Sequence, residues 1–427
     1  MMEPTKASGT SSDGAANPGP MTHDPAQERE TMPTLAFEPR PCTEYPPSMT
    51  PLTTVWKKSG PSDARANNRM MVFSQLFPHQ MMSRADIGRN TGLSKASVSD
   101  VVSEMLDTHI IAEIGLELQN GRGKRGTLLA VDARHWSIVT IDLSQPSLIQ
   151  GAVTNLVGLV VRRMEVVFDE DSPTDPDTVT DLCGRLIAEA PGQVLGIGVA
   201  VPGIVDRDGT VLRADSLDWR NVPLGTMLRE RFSTAAVIDN DARSALLAER
   251  FFGCGTPNTM FVQIDSGVRA SLLVDDAIAC GIDHLAGDIG HVVIDDGGPP
   301  CRCGRGGCLE AFSSAPAVRR RIEEGAGRVE ALAASGDALA RALAMPVALL
   351  DIHDVAVYGP TDVVNDAFLD SVSRGLAKRR AWPSETDRTV RRSECGTNIL
   401  IRGESISVCQ AMLRTMSAPT NDKDMKP

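Results

Sequence analysis

The chain has 427 residues, enough for two or three domains with buried cores at roughly 100 to 200 residues each, which excludes a small disulfide-stapled scaffold. Hydrophobic residues at 42% and charged residues at 23% are ordinary for a globular protein, and no run reads as the roughly 18 to 20 apolar residues of a membrane span. A net charge of −12 excludes a surface that is basic throughout, though not a local basic module.

The first 60 residues hold ten of the 27 prolines, mixed with Ser, Thr, Gly and Ala, and carry no apolar period; they read as a disordered tail. No basic stretch leads into an apolar core, so no secretory leader is expected and the location is expected to be cytoplasmic. The nine cysteines are then expected as thiols or metal ligands rather than disulfides.

Residues 61–135 read as a DNA-binding module. Between Ala64 and Arg134 there are nine Lys or Arg against seven Asp or Glu, so acidic charge concentrates in the rest of the chain. A helix through Met70–Leu76 precedes SRADIGRNTGLSKASVSDVVSEML at 83–106. Ser83 is placed to cap one short helix bearing Ala85 and Ile87, Gly92 supplies a turn, and Ser94 caps a second helix whose Val98, Val101, Met105 and Leu106 form an apolar face. That spacing predicts a helix-turn-helix. Lys95, Ala96, Ser97 and Ser99 are left facing outward near the start of the recognition helix, with Ser83, Arg84 and Ser94 alongside; Asp100 on the same helix opposes phosphate. Ile111–Ile114 and Thr127–Val131 read as strands of a wing, with Arg122, Lys124 and Arg125 on its glycine-rich tip suited to a phosphate backbone or a narrow minor groove.

After Trp136 the texture becomes α/β, with apolar strands expected at Ser137–Ile141, Gly151–Val161, Val194–Val201, Ala235–Ile238 and Met260–Ile264. Residues 287–310 read GDIGHVVIDDGGPPCRCGRGGCLE. His291, Cys301, Cys303 and Cys308 form a Cys3His set with glycines to permit tight ligation, a zinc complement with no open position and therefore structural. Cys42, Cys183, Cys254, Cys280, Cys395 and Cys409 are scattered and read as ordinary thiols.

The zinc segment, VAVPGIVDRDG at 199–209 and IDNDARSALLAERFFG at 238–253 together resemble the ROK family of bacterial repressors, open reading frames and sugar kinases, and the preceding DNA module with its GRGKRG wing resembles the family's transcriptional-regulator branch. The likeness covers about residues 64–415. It implies a winged helix-turn-helix domain followed by a two-lobed, actin-like (ribonuclease-H-like) α/β ROK domain over 136–415, with a second tail at 416–427. By that resemblance Asn240 and Asp241 match the pair that binds sugar and supplies the base in family kinases. The same resemblance puts Asp288 in the place of a sugar-binding glutamate, His291 in that of a histidine linking zinc to sugar, and Glu310 in that of a further hydroxyl-binding glutamate. Asn240 and Asp241 also precede a helical run and fit a helix cap.

The segments matching the kinases' phosphate contacts depart from the family. Asp142, Leu143, Ser144, Gln145, Pro146 and Ser147 lack glycines, and Pro146 has no N–H for a phosphate cradle. Asp265, Ser266, Gly267, Val268, Arg269, Ala270 and Ser271 place side chains where a nucleotide needs room, and Tyr358, Gly359 and Pro360 replace a Gly-Gly contact. The sequence therefore predicts a non-enzymatic regulator, in the sense of a repressor of carbohydrate genes. It would bind a double-stranded DNA operator as a homodimer or homotetramer, answer to a sugar or sugar-phosphate effector, and have no membrane partner. An ATP-dependent sugar kinase carrying a DNA module and a zinc-stabilised interaction domain are the other readings.

Overall fold

The computed structural model describes residues 61–116, 126–168, 174–379 and 388–416. The described residues begin with α1 (Pro61–Leu76), β1 (Met82–Ser83), α2 (Arg84–Thr91), α3 (Lys95–Asp107), β2 (Ile111–Leu116) and β3 (Thr127–Val131). Local chemistry sets these boundaries. Ser83 and Asp86 form a reciprocal capping box on α2, Gly92 ends it with φ +71°, and Ser94 caps α3 by accepting from Ser97 N. Strands β2 and β3 pair antiparallel, with a bulge between Glu113 and Gly115. The expected Met70–Leu76 helix is the second half of α1.

Two lobes of similar topology follow. The first contains β4 (Trp136–Gln145), β5 (Leu148–Asn155), β6 (Val160–Val167), α4 (Pro176–Ala188), β7 (Gln193–Val201), β8 (Ile204–Val205), β9 (Val211–Ala214), β10 (Trp219–Val222), α5 (Leu224–Phe232) and β11 (Ala235–Asn240). Its main sheet runs β11-β7-β4-β5-β6, parallel through the first three strands and antiparallel beyond. Helix α6 (Asp241–Phe252) leads into the second lobe: β12 (Thr259–Ile264), β13 (Val268–Val274), β14 (Ala277–Ile278), α7 (Leu309–Ser313), α8 (Ala315–Glu323), α9 (Arg328–Leu349), β15 (Asp354–Tyr358), α10 (Asp366–Lys378), β16 (Thr389–Arg392) and finally α11 (Ile399–Thr415). Its sheet, β14-β13-β12-β15-β16, repeats the pattern, with β12, β15 and β16 parallel and the hairpin strands antiparallel.

The run Gly151–Val161, expected as one strand, is split between β5 and β6. Gly158 turns the chain with φ +71°, and a Cβ there would meet the Phe252 ring at 2.6 Å, so the turn is fixed by tertiary packing as well as by glycine's freedom. Cys183, Cys280, Cys395 and Cys409 are free thiols, as expected. Cys254, expected as a thiol, is disulfide-bonded; it sits partly exposed on the turn after α6. Among the described residues α9 is long and apolar enough to cross a membrane by length and composition. Its Leu332, Leu339, Leu343 and Val347 are buried in the core of the second lobe, which is the environment its apolar face serves.

Helices α6 and α11 cross between the sheets. Gly403 lets them touch: a Cβ there would lie 1.9 Å from the Ser244 carbonyl oxygen. Ser244 Oγ also donates to the buried Glu404 carboxyl, which burial pushes well above the usual carboxylate range. The same two helices carry the N-terminal module. Arg69, 3% exposed in its side chain, donates from Nε to Leu413 O of α11 at 2.7 Å and from Nη1 to Glu104 of α3 at 2.7 Å. Trp136 Nε1 donates to Thr108 O at 2.9 Å. Phe77 packs against Phe251 and Phe252, with ring centroids 5.7 and 5.2 Å away. One apolar cluster therefore runs from Val72, Val98 and Met105 into Leu247, Ile406 and Leu413.

Two helical glycines should respond to alanine in opposite directions. Gly403→Ala drives a methyl into the Ser244 carbonyl and should cost about 1–3 kcal/mol or more. Gly184→Ala on α4 meets only Phe232 ring atoms at 3.6 Å and beyond and should gain roughly 0.5–1 kcal/mol from helix propensity. Urea unfolding of both variants checks the contrast; a neutral Gly403→Ala would contradict the crossing described.

Candidate functional site

A cleft of about 1000 Å³ opens between the lobes, lined on one side by residues including Ser144, Gly203, Arg213, Asn240 and Arg243 and on the other by Arg269, Asp288, His291, Arg302 and Glu310. Asn240 ends β11 and caps α6: its Oδ1 accepts from Ala242 N at 3.0 Å and Arg243 N at 3.3 Å, and its Nδ2 donates to Gly203 O at 2.8 Å. The cap and the cleft position coexist in one side chain.

Asp241, at the first position of α6, is fully buried. Arg269 Nη2 stands 2.8 Å from its Oδ2 and 2.6 Å from Asp265 Oδ2. Gln263, directly across the hairpin from Arg269, donates to Asp265 at 2.9 Å and Asp241 at 3.4 Å. Burial raises the Asp241 carboxyl to about 6 although Arg269 opposes the shift. Glu310, at the start of α7, is 7% exposed and paired with Arg302 Nε at 2.7 Å. Asp288 is exposed on the cleft wall. The structure thus brings Asn240, Asp288, His291 and Glu310 to one cleft with Asp241 directly beneath, and it pairs both buried carboxylates with arginines. The Arg302–Glu310 pair was not read from the sequence. Nor was the Arg269–Asp241 pair, although Arg269 and Asp265, four residues apart across a hairpin turn, carried half of that signal.

The segments expected to have lost their phosphate contacts are built as ordinary strands and turns. Strand β4 continues to Gln145, which pairs with Leu148 across the two-residue turn Pro146–Ser147, and the buried Asp142 accepts from Ser144 N at 2.8 Å. Asp265 N donates to Gly267 O at 3.0 Å, closing the β12–β13 turn on itself. Tyr358 stacks on Phe261 with ring centroids 6.3 Å apart.

Beside the cleft, one ligand atom each from His291, Cys301, Cys303 and Cys308 lies within 4.8 Å of all the others. Cys301 Sγ is 3.5 Å from His291 Nδ1, and Cys303 Sγ is 3.6 Å from Cys308 Sγ. A tetrahedron with metal–sulfur bonds of about 2.3 Å and a metal–nitrogen bond of about 2.0–2.1 Å has edges of ~3.8 and ~3.5 Å, so the donor set fits zinc. The loop is held by Cys301 N donating to Arg305 O at 2.7 Å and by Gly307, φ +72°, where a Cβ would strike Asp295 O at 1.7 Å. Hydrogen bonds from the Arg305 backbone and side chain lower the Cys303 thiol to about 6, while burial lifts Cys308 to about 12.

The residues expected at a DNA surface divide. Ser94, Lys95, Ala96 and Ser99 are exposed at the leading end of α3, and Ser97 is half-buried beside them. Ser94 also uses its hydroxyl on Ser97 N at 3.1 Å. Arg84 is paired with Glu113 at 3.2 Å. Ser83 is buried and its hydroxyl donates to Asp86 at 2.6 Å, so it serves as a cap and presents nothing outward. Arg122, Lys124 and Arg125 lie outside the described residues.

The xylose repressor of Caldicellulosiruptor bescii is 31% identical over 265 residues, 60% of this chain and 66% of that protein. The Bacillus subtilis xylose repressor is 27% identical over 262 residues, 60% of this chain and 68% of that protein; the chain thus spans about two thirds of the length of each. A glucokinase of Halalkalibacterium halodurans is 36% identical over 190 residues, 41% of this chain and 58% of that enzyme. Among solved structures, a ROK family transcriptional regulator described as a homologue of the E. coli MLC protein superposes with a TM-score of 0.69 at 20% identity, over 82% of this chain and 97% of its own. A ROK family glucokinase from Streptomyces griseus, in complex with glucose and AMPPNP, gives 0.54 at 21% identity over 64% of this chain and 99% of its own. These likenesses fix the fold as the two-lobed, actin-like one. With the ROK family description matching residues 147–396, more than half of its length, this chain belongs to the ROK family.

Proposed function

We propose that this protein is a DNA-binding transcriptional repressor of sugar-metabolism genes, in which α1–α3 and the β2–β3 hairpin act as a winged helix-turn-helix and the cleft binds a sugar or sugar-phosphate effector. The observation that carries the reading is the capped pair α2 and α3, turned at Gly92, with Ser94, Lys95, Ala96 and Ser99 exposed where a recognition helix meets base edges. Support comes from the regulator structure, which is matched over 82% of the chain against 64% for the glucokinase, and from relatives named xylose repressor. D-Xylose is accordingly the first effector to try.

A single recognition helix reads few base pairs, so two-fold pairing of modules on an imperfect palindrome is the form that gives adequate specificity. The domain limits proposed are 61–135 for DNA binding and 136–415 for the effector domain. We assign no kinase activity. A general base must be free to take a proton from the hydroxyl, whereas Asp241 is closed off by Arg269, and the turn at Pro146–Ser147 offers no cradle of N–H groups. The glucokinase relative keeps the enzyme reading in view; turnover of glucose with ATP that disappears in Asp241→Asn is the result that would favour it.

His291, Cys301, Cys303 and Cys308 would hold one zinc ion, which supplies structure because four protein ligands leave no open position. Zinc binding free energy is then partly folding free energy for the α7 end of the cleft. Metal analysis of protein purified without chelator should give one zinc per chain, and Cys308→Ser should lose both the zinc and thermal stability. Zinc-free protein with undiminished melting temperature contradicts the assignment.

DNA binding should be salt-dependent through the wing. Replacing Arg122 and Arg125 by Ala should weaken binding to duplex fragments selected from the source genome and reduce the slope of log K against log salt by about 2. Fluorescence anisotropy at several salt concentrations measures this, and an unchanged slope would remove the wing from the interface.

A further inference from the structure

The floor of the cleft already has an occupant. Arg269, on β13 of the second lobe, reaches across to Asp241 in the first turn of α6 at 2.8 Å and holds Asp265 of its own lobe at 2.6 Å. The other Asp241 oxygen, Oδ1, accepts from Ala242 N at 2.9 Å. A ligand hydroxyl seeking Asp241 therefore competes with a guanidinium for Oδ2.

The far end of the same helix touches the DNA module. Helix α6 has twelve residues, ~18 Å of rigid rod, and its residues from Asp241 to Glu249 are all buried. Its last two residues, Phe251 and Phe252, pack on Phe77 directly after α1. Midway, Ser244 locks it to Glu404 of α11, and α11 meets the module independently where Leu413 O accepts from Arg69. Close-packed interiors pass displacement along such a path because no element has free volume to absorb it.

We propose that Arg269 is a positioning residue and the internal occupant of the ligand site. It holds the start of α6 in the absence of ligand, and its exchange for a ligand hydroxyl is carried along α6 to Phe77 and the DNA-reading helices. The inference rests on reading the cleft as an effector site, but its mechanics can be tested without effector or DNA. A ligand acts only through its different affinity for the two arrangements, and Arg269→Gln mimics the released one by withdrawing the cation from Asp241.

Hydrogen exchange of the full chain, read by mass spectrometry, should show faster exchange in Arg269→Gln, about three-fold or more, both in residues 242–246 and in residues 72–77. Residues 366–378 of α10 should stay as in the wild type. Arg269→Lys keeps the charge and should restore most of the protection. Adding Phe252→Ala to Arg269→Gln should leave the effect at 242–246 and shrink it at 72–77, each measured against Phe252→Ala alone. The proposal is overturned if 72–77 does not respond, if exchange rises uniformly through α10, or if Arg269→Lys behaves as Arg269→Gln. Failure of D-xylose to bind would strike the proposed effector while leaving these exchange results to decide the coupling.

Discussion

The crossing of α6 over α11 is the contact on which the rest of the molecule depends. It is possible because residue 403 is glycine and its neighbour's carbonyl lies where any Cβ would be. It is held by a buried carboxyl, Glu404, that Ser244 satisfies on one side. Each helix packs against sheet strands and also against the N-terminal module, so the apolar cluster containing Val98 of α3 also contains Leu247 and Leu413. Helix α3, proposed to read DNA, is continuous in packing with the domain behind it, rather than tethered by a linker.

That continuity gives meaning to the charge pattern in the cleft. A carboxylate buried without a partner is costly, and a paired one is costly to break. Asp241 and Glu310 are each stabilised by an arginine, so the two groups that the family resemblance assigns to sugar hydroxyls are already engaged. With Arg269 on its Oδ2, Asp241 does not present that oxygen to a bound hydroxyl. Under the proposal, a ligand would have to replace the arginine's contacts with its own, and its different affinity for the closed and opened arrangements would set the response. The Cys3His group adds a wall to the cleft, since His291 belongs both to the cleft lining and to the cysteine group.

Much of this was legible in the sequence where the determinants are local. Ser83, Ser94 and Gly92 announced the ends of α2 and α3 because capping involves neighbours three residues away. His291, Cys301, Cys303 and Cys308 announced a group able to hold a metal because all four fall within one short segment. The longer-range features were not legible. The pairing of Asp241 with Arg269 joins two lobes through a sheet register that no local period encodes, and Arg302 reaches Glu310 only because the cysteine loop folds back on α7. The split of the 151–161 run depended on the Phe252 ring, from another part of the fold, filling the space above Gly158. Ser83 was assigned to a DNA surface when its hydroxyl was needed for the cap, an instance of one side chain fitting two roles until burial decides between them.

If the cleft is an effector site, its occupancy changes what the N-terminal module does. The most direct measurement is the affinity of the full-length protein for a duplex recovered from its source genome, read by fluorescence anisotropy with and without saturating D-xylose whose binding has been established by calorimetry. The account predicts weaker DNA binding with the sugar, about five-fold or more, and no such change in Asn240→Ala. Equal DNA affinity with the cleft full and empty would contradict it.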